Sequence, residues 1–173
     1  MPKVVEQKSL FGDTVLATNL SHDDIIVLIH SYASKMGYDV HIGNTEQDKN
    51  PQFKKISRQM LTPHEFGLPP DVFSTIVEID LLLLKGSIIT HAIEVTTTVE
   101  TANKAINDRY RNLFVAIPSL LVKAYIVVKD KDFSKAHSIV FSKANIKDGI
   151  SEKVKIIRLS ELTELGFEKL IMI

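Results

Sequence analysis

Residues 74–98 read STIVEIDLLLLKGSIITHAIEVTTT, and the fold turns on how this stretch is read. Two runs of strand character flank Lys85, Gly86 and Ser87, a turn-forming triplet, so the stretch predicts a β-hairpin. The four leucines at 81–84 predict a strand covered on both faces, as in the interior of a sheet. The acids of the hairpin carry the chemistry. Glu78, Asp80 and Glu94 stand among Ile, Val and Leu, where an uncompensated carboxylate is costly to bury. With the turn centred near Gly86, Asp80 is expected opposite about Ala92 and Glu78 opposite about Glu94. Alternation then puts Glu78, Asp80, Ala92, Glu94 and Thr96 on one face. Converging carboxylates repel one another unless a cation joins them, and Mg²⁺ or Mn²⁺ would make them a hard-oxygen site. A metal so held can bind a phosphate, lower the pKa of an attacking water and steady the leaving oxygen, which is phosphodiester hydrolysis. The competing reading is a solvated hairpin face whose acids pair with Lys or Arg.

Outward from the hairpin, the pattern gives the order helix, strand, hairpin, helix, strand, helix, strand, a mixed sheet flanked by helices. SHDDIIVLIHSYASKMG at 21–37 carries a helix, with Ser21 as N-cap, Asp23 and Asp24 at the positive end of the dipole and Gly37 past the last turn. Ile25, Leu28, Ile29, Tyr32 and Met36 form its apolar stripe. YDVHIG is a short alternating strand. Residues 44–70, punctuated by Pro51, Pro63, Pro69 and Pro70, read as a long polar excursion with one short helix near FKKISRQM. A helix is expected over 99–116, with Ala102, Ile106, Tyr110 and Leu113 on one side. KAYIVVKD follows as a strand, then a helix from about Asp132 to Ala144, then VKIIRL as a final strand.

Length and composition suit a single domain over 1–173, with 45% apolar and 24% charged residues. The absence of cysteine removes disulfides and thiolate metal sites and fits a reducing compartment. MPKVVEQKSL lacks the apolar core of a secretion signal, and no apolar run approaches membrane-spanning length, so a cytoplasmic chain is expected. Basic and acidic residues balance at 21 each, so contact with a polyanion would have to come from a local patch.

VEIDLLLLKGSIITHAIEVTTT resembles the core motif of the PD-(D/E)XK nuclease superfamily, especially archaeal Holliday-junction resolvases and related small nucleases. In that family an acid on one apolar strand is followed, after a tight turn, by a strand ending Glu-x-Lys. Asp80 and Glu94 match the two acids, and the element order matches the restriction-endonuclease-like αβββαβ core over roughly residues 21–158. The resemblance implies a metal-dependent DNA endonuclease in which Asp80 and Glu94 bind Mg²⁺ or Mn²⁺, Glu78 assists as ligand or water-orienting base, and DNA is the partner. A homodimer would supply two sites for two strands. Pro70-Asp71 is a literal Pro-Asp, but nine extended residues separate Asp71 from Asp80, about 30 Å, which favours Asp80.

Thr96 departs from the family, because it stands where lysine is usual and brings no charge to the phosphate. Lys85 at the hairpin tip is remote, Lys104 is turned away by helical phase, and Lys54 or Lys55 could fold over the site. Thr96 could instead orient a water while metals supply the charge, or the chain could be an inactive nuclease-fold domain that binds nucleic acid or mediates assembly. Lys54, Lys55 and Arg58 belong to the densest basic segment, suited to a phosphate backbone or simply to a solvated loop. Arg109 falls on the apolar side of its helix, where its head could reach toward the site or a phosphate, although the preferred reading is a packed stem with a head in water. The six histidines form no i, i+4 ligand pair, which argues against a zinc or histidine enzyme. His91 has the wrong parity for the Glu94 face. No glycine loop cradles a phosphate and no nucleophile elbow is present.

Overall fold

The computed structural model describes residues 20–60, 62–96, 99–118 and 121–171. The amino-terminal stretch MPKVVEQKSL, and residues 97–98 at the end of the hairpin motif, lie outside them. The protein is an α/β fold with a five-stranded mixed sheet in the order β1-β2-β3-β4-β5. Strands β1 (Asp39–Ile42) and β3 (Ile88–Thr96) each pair antiparallel with β2 (Leu81–Lys85) between them, and β4 (Lys123–Val128) and β5 (Val154–Arg158) continue the sheet from β3 in parallel. Parallel neighbours need crossovers. Helices α5 (Val99–Lys104) and α6 (Arg111–Ala116) carry the chain from β3 to β4, and α7 (Phe133–Val140) and α8 (Lys143–Lys147) carry it from β4 to β5.

Each face of the sheet has its own core. Leu82, Leu84, Ala92 and Ile126 pack with Ile76, Ile106, Tyr110, Leu113, Ala136 and Val140. Leu81, Leu83, Ile93, Val95 and Val127 pack with Ile25, Ile26, Ile29 and Phe53, joined by Leu162 of α9 (Leu159–Leu165) and Phe167 and Ile171 of α10 (Phe167–Ile171). The leucine run is therefore covered on both sides, as its composition predicts, with all four residues fully buried. Helix α1 (His22–Lys35) starts at Ser21, whose hydroxyl accepts from the Asp24 N–H while Asp24 accepts from the Ser21 N–H, a capping box. Its fully buried stripe is Ile25, Ile26, Ile29 and Ala33. Leu28, Tyr32 and Met36 are half-buried at its margin.

Two expectations change. The excursion at 44–70 holds two helices, α2 (Asn44–Lys49) and α3 (Pro51–Ile56), and a 3₁₀ turn at Pro63–Phe66. In place of a strand beginning near Ser74, helix α4 (Pro70–Ile76) occupies this stretch, and β2 begins at Leu81. Pro70 pre-sets the first helical φ, and Phe73 and Ile76 recur at helical spacing on the core side. Residues 77–80 form a turn stitched to the end of β1: the Gly43 N–H donates to the Asp80 carbonyl and the Asn44 N–H to Val77, each at 3.0 Å.

Candidate metal centre

The hairpin register decides which acids meet. Lys85 pairs with Ile88, leaving a two-residue loop, and Thr90 is an extra residue in β3 opposite Leu83 and Leu84. This bulge moves the pairing to Leu82 with Ala92 and Leu81 with Ile93, so the next position sets Asp80 against Glu94 rather than Ala92. The Val95 N–H donates to Asp80 Oδ2 at 2.8 Å, tying the acid across the strands. Both carboxylates are buried, Asp80 at 5% exposure and Glu94 at 3%. Thr96, also buried, follows Glu94 on the same face.

Glu78 does not lie opposite Glu94. It belongs to the 77–80 turn, and its Oε2 accepts from the Thr45 N–H at 3.0 Å and from the Thr45 hydroxyl. The expected convergence of Glu78, Asp80 and Glu94 through strand alternation is therefore corrected: β2 begins too late to include Glu78. Its charge still acts on Arg109 from a distance.

Arg109 answers the acids. Between α5 and α6 the helix widens into a π segment, Ala105–Tyr110. From it Arg109 sets Nη1 at 2.7 and 2.8 Å from the two oxygens of Glu94 and 3.7 Å from Asp80 Oδ1. Next to it the Tyr110 hydroxyl donates to the Tyr125 carbonyl and anchors the helix on the sheet. Burial pushes the Glu94 carboxyl well above the usual range and the Asp80 charge adds to this, while the guanidinium pulls it back. Burial alone would lower the Arg109 pKa, but Glu94 and Asp80 raise it overall.

On the other side of Asp80 stands His22, the first residue of α1. Its Nε2 is 3.4 Å from Asp80 Oδ2, and its Nδ1 is 3.7 Å from both Asp23 Oδ1 and Glu46 Oε2. Burial lowers the His22 pKa, and the surrounding carboxylates, Asp80 first, more than offset this and leave it raised. Glu46 is buried on α2 and accepts from Lys49 Nζ at 2.8 Å. One ligand atom from each of His22, Glu46 and Asp80 lies within 4.8 Å of the other two. Two buried carboxylates beside one half-buried imidazole are a donor set that fits a divalent cation.

The remaining sequence candidates are spread out. Lys54 and Lys55 are exposed on α3. Arg58 ties the excursion to the hairpin, with Nη2 2.7 Å from Glu65, Nη1 3.3 Å from Asp39, and a further bond to the Gly86 carbonyl. Lys85 donates to the Gly37 carbonyl and lies 4.2 Å from the Tyr38 ring centre, away from the acids. His91, which its parity keeps off the Glu94 face, is buried against the Tyr38 and Tyr125 rings. Asp71 sits in the exposed first turn of α4.

Sequence spacing gives no sign of His22 or Glu46, and of the two readings it leaves for Arg109 the structure takes the one that reaches the acids. Ligand-spacing rules look within one helix or loop, whereas these groups come from three separate elements. Compared with protein-family models, curated proteins and solved structures, the chain matches none.

Proposed function

We propose that the chain is a metal-dependent deoxyribonuclease with the restriction-endonuclease-like core of the PD-(D/E)XK superfamily, hydrolysing phosphodiester bonds. The observation that carries this reading is the pair Asp80 and Glu94, buried side by side where β2 begins and β3 ends, against a cationic side chain. Asp80 and Glu94 would hold Mg²⁺ or Mn²⁺, which when bound polarises a phosphate and acidifies a water. Arg109 supports the reading further, since a guanidinium beside the acids offers the positive charge that Thr96 lacks, in a geometry suited to phosphate oxygens. Glu78 keeps Thr45, and with it the start of α2, against the turn that leads into Asp80. Exposed Lys54 and Lys55 are positions for backbone contact with DNA, and a homodimer would bring two sites to two strands.

A second reading has an observation in its favour. Arg109 already neutralises Glu94, which suits a nuclease-fold domain that binds nucleic acid or mediates assembly without cutting it. Among the described residues no helix is long and apolar enough to cross a membrane.

The deciding experiment incubates the protein with linear, single-stranded and branched DNA in Mg²⁺ or Mn²⁺, beside Asp80→Ala and Glu94→Ala. Cleavage by the unaltered chain, lost in both variants and with EDTA, is expected. If the unaltered chain cuts no substrate above the variant background, the enzymatic reading is wrong and the binding domain stands.

A further inference from the structure

We propose that His22, Glu46 and Asp80 form a cation site of their own, built to take a first-row transition-metal ion such as Co²⁺, Fe²⁺ or Zn²⁺ in preference to Mg²⁺. The three ligand atoms lie within 4.8 Å of one another. Metal–ligand bonds of about 2.1 Å bring donors to about 3–3.5 Å, a closure that side-chain torsions can supply. The trio shares Asp80 with the Asp80–Glu94 pair but lies on its other side. Asp80 Oδ2 turns to His22, whereas Oδ1 turns to Arg109 and the Glu94 side. On that second side a guanidinium already sits against both oxygens of Glu94. Across Asp80, the ion-pair partners of the His22 imidazole among the described residues are the acids Asp80, Glu46 and Asp23.

The surroundings hold each ligand in place, as outer partners do at metal sites. Lys49 fixes Glu46 Oε1 at 2.8 Å and leaves Oε2 toward the imidazole. The Val95 N–H fixes Asp80, and Asn50 Nδ2 donates to Asp23 at 2.9 Å, joining the starts of α1 and α3. Backbone bonds from Gly43 and Asn44 hold the α2 start to the turn that carries Asp80. Ligand chemistry gives the preference. Mg²⁺ selects oxygen donors and keeps its waters, while an imidazole nitrogen favours the later first-row ions. In any role in cleavage the site rests on the hydrolase reading, but cation binding does not depend on it.

The test titrates the chelator-treated full chain with CoCl₂, following visible absorption, calorimetry and the imidazole proton resonances. Binding is expected with a hyperfine shift at His22, and a large molar excess of MgCl₂ should leave Co²⁺ bound. His22→Ala and Glu46→Gln should each weaken Co²⁺ by at least about tenfold, with Glu94→Gln affecting it far less. Equal Co²⁺ affinity in His22→Ala, displacement by an equal concentration of Mg²⁺, or no shift at His22 overturns the proposal. The His22 resonance in the unaltered chain decides the matter should either variant misfold. Co²⁺ bound at His22 without DNA cleavage defeats the hydrolase reading and leaves this site standing. Cleavage with Co²⁺ affinity unchanged by His22→Ala does the reverse.

Discussion

Glu94 can remain buried because Arg109 lies against both of its oxygens, and either group alone would be an uncompensated charge in an apolar setting. Arg109→Ala should therefore lower unfolding stability by about 3 kcal/mol in urea titrations with EDTA. A dication can take over the same charge, so adding Mn²⁺ should recover part of that loss, a gain absent from Asp80→Ala. Arg109→Lys should fall between, because an ammonium keeps the charge but not the guanidinium geometry. Asp80 and Glu94 were legible in the sequence, since acids within apolar strands need a reason. The role of Arg109 was legible only as the less favoured of two readings. Helical phase placed it on the apolar side, but only the π segment and the sheet beneath decide whether its head meets a carboxylate or water.

At the scale of elements, the site depends on a close approach between the end of β1 and the turn before β2. A Cβ on Gly43 would lie 2.8 Å from the Ile79 carbonyl oxygen and 3.1 Å from that of Glu78, both backbone atoms that cannot rotate away. Gly43→Ala should cost about 1–3 kcal/mol by forcing the two segments apart. It should also weaken metal binding, since Glu46 and Asp80 stand on opposite sides of that approach; urea and Co²⁺ titrations of one preparation measure both effects. Helix α1, the hairpin, the β4 and β5 strands and the crossover helices were all readable from periodicity. The register was not, because one extra residue at Thr90 resets every pair beyond it, and its hydroxyl bond to the Leu83 carbonyl at 2.9 Å forms only once the strands meet. Helix α4 was hidden by β-branched residues that suit a strand in isolation but turn helical after Pro69 and Pro70.

For the whole molecule, histidines set how stability follows pH. Burial, with the nearby Lys123 charge, pushes His91 down to about 4, and burial lowers His41 as well. An imidazole that resists its proton in the fold but accepts it when unfolded contributes stability above its unfolded pKa of 6.5, lost as pH falls through its folded value. His22 works in the opposite sense: its raised pKa contributes below 6.5 and is lost as pH rises through the folded value. The share that His91 contributes should thus fall from pH 6.5 toward pH 4, read as the difference in urea midpoint between the unaltered chain and His91→Phe, which keeps ring packing against Tyr38 and Tyr125. By itself the sequence determined the α/β class, the order of the strands and of the crossover helices between them, the doubly covered leucine strand and the two hairpin acids, because these follow from local periodicity and from the cost of burying charge. Only the tertiary structure decided that Asp80 faces Glu94, that Glu78 holds Thr45 instead, and that His22, Glu46 and Arg109 surround Asp80. Those groups lie far apart along the chain, and what joins them is a strand register, a π turn and backbone bonds between segments, none of which exists until the sheet has formed.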